Sequence, residues 1–354
     1  MFTHSRRVCA SHAWETRAAP RISVDGERSG AGSPARWLIA AAVALITGAA
    51  EAHGIAGNRL FPGTLAFDDP AVMDELILPA ASRLKHPTDD SDVVDSRIGW
   101  SFSRLLTSTL ALEIESGWMH RSWGSAQRAG FDTTAIGLKG LLYKNDLHET
   151  IVSANLSWGV GGSGAQGIGA GNPDTLQPGI FFGKGFGDLP NGLSWLRPFA
   201  ITGAVTLEHP LATTSTNFGI DPQTGQLGPI LARNVDILHW GFTIQYSTFY
   251  LTSRFTPGRL PKDEPVRQFI PLVEFAFDSP RGDKTAATVN PGFAYVADSW
   301  QVAAEAIVPL NSEAGRTIGV RAHLFFFIDD LFPALFGKPL LEMTGVLPER
   351  RSER

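Results

Sequence analysis

Glu113 and Glu115 stand two residues apart, as do Arg321 and His323, while Gln301 and Glu305 are four apart. Even spacing puts side chains on one face of a β-strand, so each pair converges on whatever that face encloses. Lys139 and Glu274 join the set, because each stands at an odd offset from an apolar neighbour, Ile136 and Val273. Such carboxylates, bases and amide have two readings. They can pair across an enclosed space and hold a wall in shape, or they can ring a polar constriction that selects solutes by charge. A third chemistry is hydrolysis, since Glu305, Arg321 and His323 become neighbours if the last two segments form a hairpin. No serine can be named within reach of that histidine, and a membrane hydrolase needs its triad on the outer wall beside the lipid, so no enzyme is expected.

Other motifs weaken when read in context. Gly162, Gly164 and Gly167 fit the spacing of a dinucleotide fingerprint, but Asn172 and Pro173 follow where a helix should begin, so a surface loop is expected. The same stretch misses the nucleophile elbow because Ala165 replaces its last glycine. Cys9 is the single cysteine, and His53 has no second histidine in a metal spacing. No metal and no cofactor are expected.

Positioning the polar set falls to segments of about ten residues in which apolar and polar or small side chains alternate. In residues 237–247, Leu238, Trp240, Phe242, Ile244 and Tyr246 interleave with His239, Gly241, Thr243 and Gln245. Twelve such segments are placed at 75–85, 95–105, 109–118, 130–142, 149–160, 175–187, 196–207, 235–250, 266–277, 287–297, 299–309 and 316–327. The expected fold is all-β, an antiparallel up-and-down transmembrane β-barrel of about 12 strands. Trp118, Ile136, Val273, Trp300 and Leu324 then face lipid and the polar set faces the lumen, because Lys or Arg on the lipid face costs about 2–4 kcal/mol near the midplane. The connections at 106–108, 143–148 and around Asp298 are short, whereas 161–174 and 209–234 are long. Short turns belong to the periplasm, which puts both termini there, although the long connection at 252–265 fits that rule poorly. Trp118, Trp158 and Trp240 form one aromatic girdle in this arrangement, and Tyr143, Trp195, Tyr250, Tyr295 and Trp300 the other. A soluble sandwich explains neither the even count nor the turn lengths.

The N-terminus points to export. Six arginines from Arg6 to Arg36 precede the apolar run 37–47, and Ala50 and Ala52 supply the small residues read at a signal-peptidase site, so residues 1–52 are expected to be removed before His53. Removal takes six basic and four acidic residues from totals of 30 and 35, leaving 24 against 31, net −7. Nucleic-acid binding favours the opposite sign. Residues 53–74 are too apolar for a free tail, with Leu60, Phe61, Leu65 and Phe67 beside Asp68, Asp69 and Asp74. They either plug the lumen or pack on the periplasmic rim. Residues 75–328 form the barrel and 329–354 a periplasmic tail.

Short segments carry a resemblance: residues 61–76 (FPGTLAFDDPAVMDEL), 183–190 (GKGFGDLP), 196–203 (LRPFAITG), 289–295 (VNPGFAY) and 328–333 (IDDLFP). They resemble the outer-membrane transporter family of the meta-pathway of phenol degradation. The resemblance implies passive uptake of small, aromatic or otherwise hydrophobic compounds, and it supplies no catalytic or binding residues to carry over. Expected partners are outer-membrane lipids, small-molecule solutes and the outer-membrane assembly machinery. The competing reading is a closed barrel with a structural or sensory role.

Overall fold

The computed structural model describes residues 54–86, 93–123, 126–170, 173–220, 226–250 and 268–346. The leader, His53 and the connection at 252–265 lie outside the described residues. Twelve strands form the wall: β3 (Glu75–His86), β4 (Val93–Thr107), β5 (Leu110–Trp123), β7 (Ala135–Asn145), β8 (Thr150–Gly159), β9 (Thr175–Gly185), β10 (Phe199–Pro210), β13 (Ile237–Tyr246), β14 (Gln268–Pro280), β15 (Ala286–Val296), β16 (Trp300–Pro309) and β17 (Gly319–Phe327). Each pairs antiparallel with the next along the chain. β17 pairs with β3, and β4 with β5, so the sheet closes on itself and leaves no edge strand in the wall.

Alternation sorts the two faces. On β13 the even-numbered Leu238, Trp240 and Ile244 are exposed on the outside, while Gly241, Thr243 and Gln245 are buried within. Cross-strand neighbours extend the outer apolar surface: Trp240 stacks on Phe277 and Phe242 on Phe275, with ring centroids 4.1 and 4.9 Å apart. Stacked aromatic pairs of this kind add about 0.5–1.5 kcal/mol beyond the area they bury. Trp118, Ile136 and Trp300 are likewise exposed on the outer face.

Inside, the chain before the wall fills one end. Ile55–Ala56 (β1) and Arg59–Leu60 (β2) form a two-residue hairpin. Gly57 has φ of 61°, the sign required at the first central position of a tight hairpin turn, and a Cβ there would lie 2.2 Å from the Asp146 carbonyl oxygen. Beyond the hairpin, Leu60, Ala71 and Met73 pack on Ile270, Leu272, Ala294, Val296, Ala303, Phe325 and Phe327. Phe61 packs on Ile151 and Ala200 across the lumen. Burying such side chains contributes about 1.5–3 kcal/mol each.

Three features depart from the alternation reading. β6 (Ala126–Phe131) continues the β5 hairpin above the wall, and β11 (Thr214–Ile220) pairs with β12 (Leu227–Arg233) inside the long connection after β10. Tyr250 does not join an aromatic girdle. The chain after β13 takes a helical turn, and the Tyr250 ring packs under the Arg59 guanidinium, 4.0 Å from it. The described part of the tail forms short helical turns at Ile328–Leu331, Pro333–Phe336 and Leu340–Met343. They are anchored by Arg104, which donates to the Leu335 and Lys338 carbonyls (3.0 and 2.8 Å) and pairs with Asp74 (2.6 Å).

Candidate functional site

The N-terminal segment is held by the residues singled out for chemistry. Gln301 clasps Gly63, accepting its N–H at 3.2 Å and donating to its carbonyl at 2.9 Å. Glu274 accepts the N–H groups of Leu65 and Ala66 at 3.1 and 2.6 Å. Arg321 donates to the Leu65 carbonyl at 2.5 Å and pairs with Glu305 at 3.1 Å, its register partner across β16 and β17. Lys139 reaches Asp68 at 2.5 Å and Glu113 at 3.8 Å. An irregular strand leaves backbone donors and acceptors that a wall made only of apolar residues could not satisfy. The polar wall residues supply those partners.

A second contact set holds the hairpin at the end of the barrel where β3 begins and β17 ends. Arg59 is 1% exposed and donates to the carbonyls of Arg197, Pro198 and Phe199 at 2.6, 3.1 and 3.3 Å. It also meets Glu149 at 3.4 Å, and the same carboxylate accepts from Tyr250 and from the Gly187 N–H. Glycines in the wall make room for the segment: a Cβ on Gly183 would come within 3.0 Å of the Phe61 ring, and one on Gly241 within 2.9 Å of Phe67. Its contacts therefore reach β8, β9 and β10 on one side and β14 to β17 on the other.

Above Thr64–Asp68 the lumen opens into a cavity of about 530 Å³. The structure divides the eight candidate residues between this vestibule and the packed zone. Glu113, Glu115, Arg321 and His323 line the cavity. Lys139, Glu274, Gln301 and Glu305 also point inward but are buried, at 2, 0, 0 and 5% exposure, so they are walled off from a solute in the vestibule. Lys139, Glu274 and Gln301 contact the segment directly, and Glu305 pairs with Arg321, which does. His323 links the two groups, its Nε2 lying 3.0 Å from the Gln301 amide nitrogen.

The wall also carries charges that alternation alone did not select. Arg97 pairs with Asp132 at 2.6 Å, and Arg121 makes a two-pronged pair with Asp95 at 2.7 Å. Arg97 and Arg121 thus join Lys139 and Arg321 as inward cations. At the mouth, Arg121 also donates to the Ile168 carbonyl at 2.7 Å, and Phe218 of the β11/β12 hairpin meets Trp123 edge-on at 6.2 Å. The glycine-rich stretch is part of this mouth, folding into turns and one 3-10 turn at Gln166–Ile168.

No protein-family model and no curated protein matches the sequence. The likeness of short segments to the phenol meta-pathway family is therefore not joined by a match over the chain. Solved structures with related barrels include an outer membrane channel from Pseudomonas putida F1, at 10% identity and a TM-score of 0.49, covering 76% of this chain and 99% of that one. The KdgM porin in complex with disordered oligogalacturonate has 12% identity and a TM-score of 0.38, covering 71% of this chain and 98% of that one. The NanC porin has 9% identity and a TM-score of 0.36, covering 71% and 97%.

Proposed function

We propose that the chain is an outer-membrane channel for small molecules whose passage is closed by its own N-terminal segment. The membrane reading rests on the outer face: on β13 apolar side chains run from Leu238 to Tyr246, about 27 Å along the strand, or roughly 20 Å of height at a tilt near 40°, close to the apolar band of such barrels. The loop-rich end faces outside and the termini face the periplasm. That orientation is supported by the two-residue turn between β4 and β5 and by the long hairpin-bearing connection after β10. The long connections after β9 and β13 at the terminus end are the cost of this assignment.

The observation that carries the channel reading is the division of the lumen into a polar vestibule and a packed plug. A scaffold barrel needs no 530 Å³ vestibule lined by carboxylates and bases, and a freely open pore needs no buried arginine at its floor. Solutes enter the vestibule past Glu113 and Glu115, and passage requires displacement of residues 59–73. The solutes are small compounds, and the family resemblance extends that class to aromatic or hydrophobic ones. A closed structural or sensory barrel is the second reading, favoured by how completely Arg59, Phe61 and Met73 are buried.

Planar-bilayer recordings separate the two. The parent should give rare, short openings, and a variant carrying a Gly/Ser linker in place of residues 59–73 should conduct steadily. A folded linker variant that carries no current supports the closed barrel and overturns the channel.

A further inference from the structure

The outer wall is not uniform. Across β15, β16, β17, β3, β4 and β5 one register row reads Phe293, Ala304, Ala322, Ala81, Ile98, Trp118. Three consecutive alanines on neighbouring strands make a shallow floor between tall walls, with Phe293, Ile98 and Trp118 exposed at 38, 58 and 46%. The hollow amounts to about 720 Å³. At about 4.8 Å per strand the floor is roughly 10–15 Å wide, enough for more than one acyl chain side by side.

The adjoining row toward the loop-rich end reads Ala306, Val320, Arg83, Ser96, His120. Arg83 is exposed on this outer face, and among the described residues nothing pairs with its guanidinium. An arginine facing outward is costly at the bilayer midplane but close to neutral at the interface, where it can meet phosphate oxygens in two-pronged fashion. A trough for acyl chains thus ends at a cation set at headgroup height.

We propose that this trough is a binding site for a phosphorylated, multiply acylated lipid of the leaflet on the loop-rich side, with acyl chains over Ala81, Ala304 and Ala322 and a phosphate on Arg83. In a Gram-negative outer membrane that leaflet presents the phosphorylated lipid A of lipopolysaccharide, whose several chains suit the width of the floor. The proposal rests on the membrane reading and orientation given above. It is independent of whether the lumen conducts.

Native mass spectrometry of the detergent-solubilised barrel tests it, using lipid A, dephosphorylated lipid A and phosphatidylglycerol as probes. The parent should retain lipid A over its dephosphorylated form by about tenfold, the effect of one charge-assisted contact. R83Q should erase that preference while keeping binding of the chains, and A322W should reduce retention of both forms. Heat-modifiable gel mobility establishes that each variant has folded. Equal retention by folded parent, R83Q and A322W overturns the site while leaving the membrane barrel intact. Phosphatidylglycerol retained as well as lipid A overturns the choice of lipid. A dimer that A322W dissociates without changing lipid retention gives the trough to a second copy and overturns the proposal. A chain that stays soluble without detergent overturns the membrane reading and the site together.

Discussion

Arg59→Ala should release the plug without unfolding the barrel. In the docked state the guanidinium serves three carbonyls and the Glu149 carboxylate, with 1% exposure. Truncation leaves those acceptors buried beneath the hairpin, and removing one partner of a buried pair costs about 3–5 kcal/mol. Undocking returns Glu149 and the carbonyls to water, so the penalty falls on the docked state and shifts the equilibrium toward opening. At 1.4 kcal/mol per tenfold, the ratio of docked to undocked should fall by about two to three and a half orders of magnitude. Arg59→Lys should lie between, because a point charge cannot serve three diverging carbonyls as a planar fork does. Adding Glu149→Gln to Arg59→Ala should recover about 0.5–3 kcal/mol, the range for coupled neighbours. The assay is the open fraction in planar-bilayer recordings, with heat-modifiable mobility as the check on folding. An open fraction in folded Arg59→Ala equal to that of the parent refutes the reasoning.

Other substitutions separate the faces and zones of the wall. Phe242→Arg puts a charge on the outer face and should impair assembly by about 2–4 kcal/mol. Thr243→Arg should assemble, yet, because Thr243 is fully buried beside Glu274 under the plug, it should raise the open fraction. Folding yield and conductance together report both. Glu113→Gln with Glu115→Gln should reduce cation preference in reversal-potential measurements across a salt gradient, whereas Glu274→Gln with Glu305→Gln should leave preference unchanged and increase opening. The selectivity effect should fade as salt shortens the screening length below about 8–10 Å. Asp174 accepts the Gly161 N–H at 2.9 Å and the Trp158 indole N–H at 2.8 Å, and these bonds hold its carboxyl below the ordinary carboxylate range. A depressed pKa means the stabilisation is present above the unfolded value, near 4, and is lost as pH falls through the folded one. Hydrogen-exchange protection factors in residues 160–174, measured against intrinsic rates at each pH, should therefore fall only in that acid range, and Asp174→Asn should make the protection independent of pH there.

The wall was legible because a closed barrel with an apolar outer face, the face proposed to meet lipid, imposes period-two alternation on its strands from Glu75 to Phe327. The same rule is silent where lipid does not reach. β6 and the β11/β12 hairpin stand above the apolar band, and their sequences, AQRAGF, TSTNFGI and LGPILAR, keep no strict alternation of apolar and polar residues. Inward parity was readable for Lys139, Glu274, Gln301 and Glu305, but parity says which way a side chain points, not whether another segment covers it. The apolar residues of 53–74 showed that this stretch must be buried, and only the three-dimensional contacts say where. Arg59 was missed altogether. The available signal was Gly57-Asn58 between two short β-prone pairs, a two-residue hairpin pattern that would have set Arg59 and Leu60 on a paired strand.

Closure of the lumen below the vestibule by residues 59–73 can be read from cysteine accessibility in a chain with Cys9 replaced by Ser. Glu115→Cys places a thiol in the vestibule and Thr243→Cys places one under the plug. With a membrane-impermeant thiol reagent applied from the loop side, position 115 should label rapidly and position 243 should be protected, the protection vanishing when residues 59–73 are replaced by a Gly/Ser linker. Equal labelling of both positions in the intact chain would contradict it.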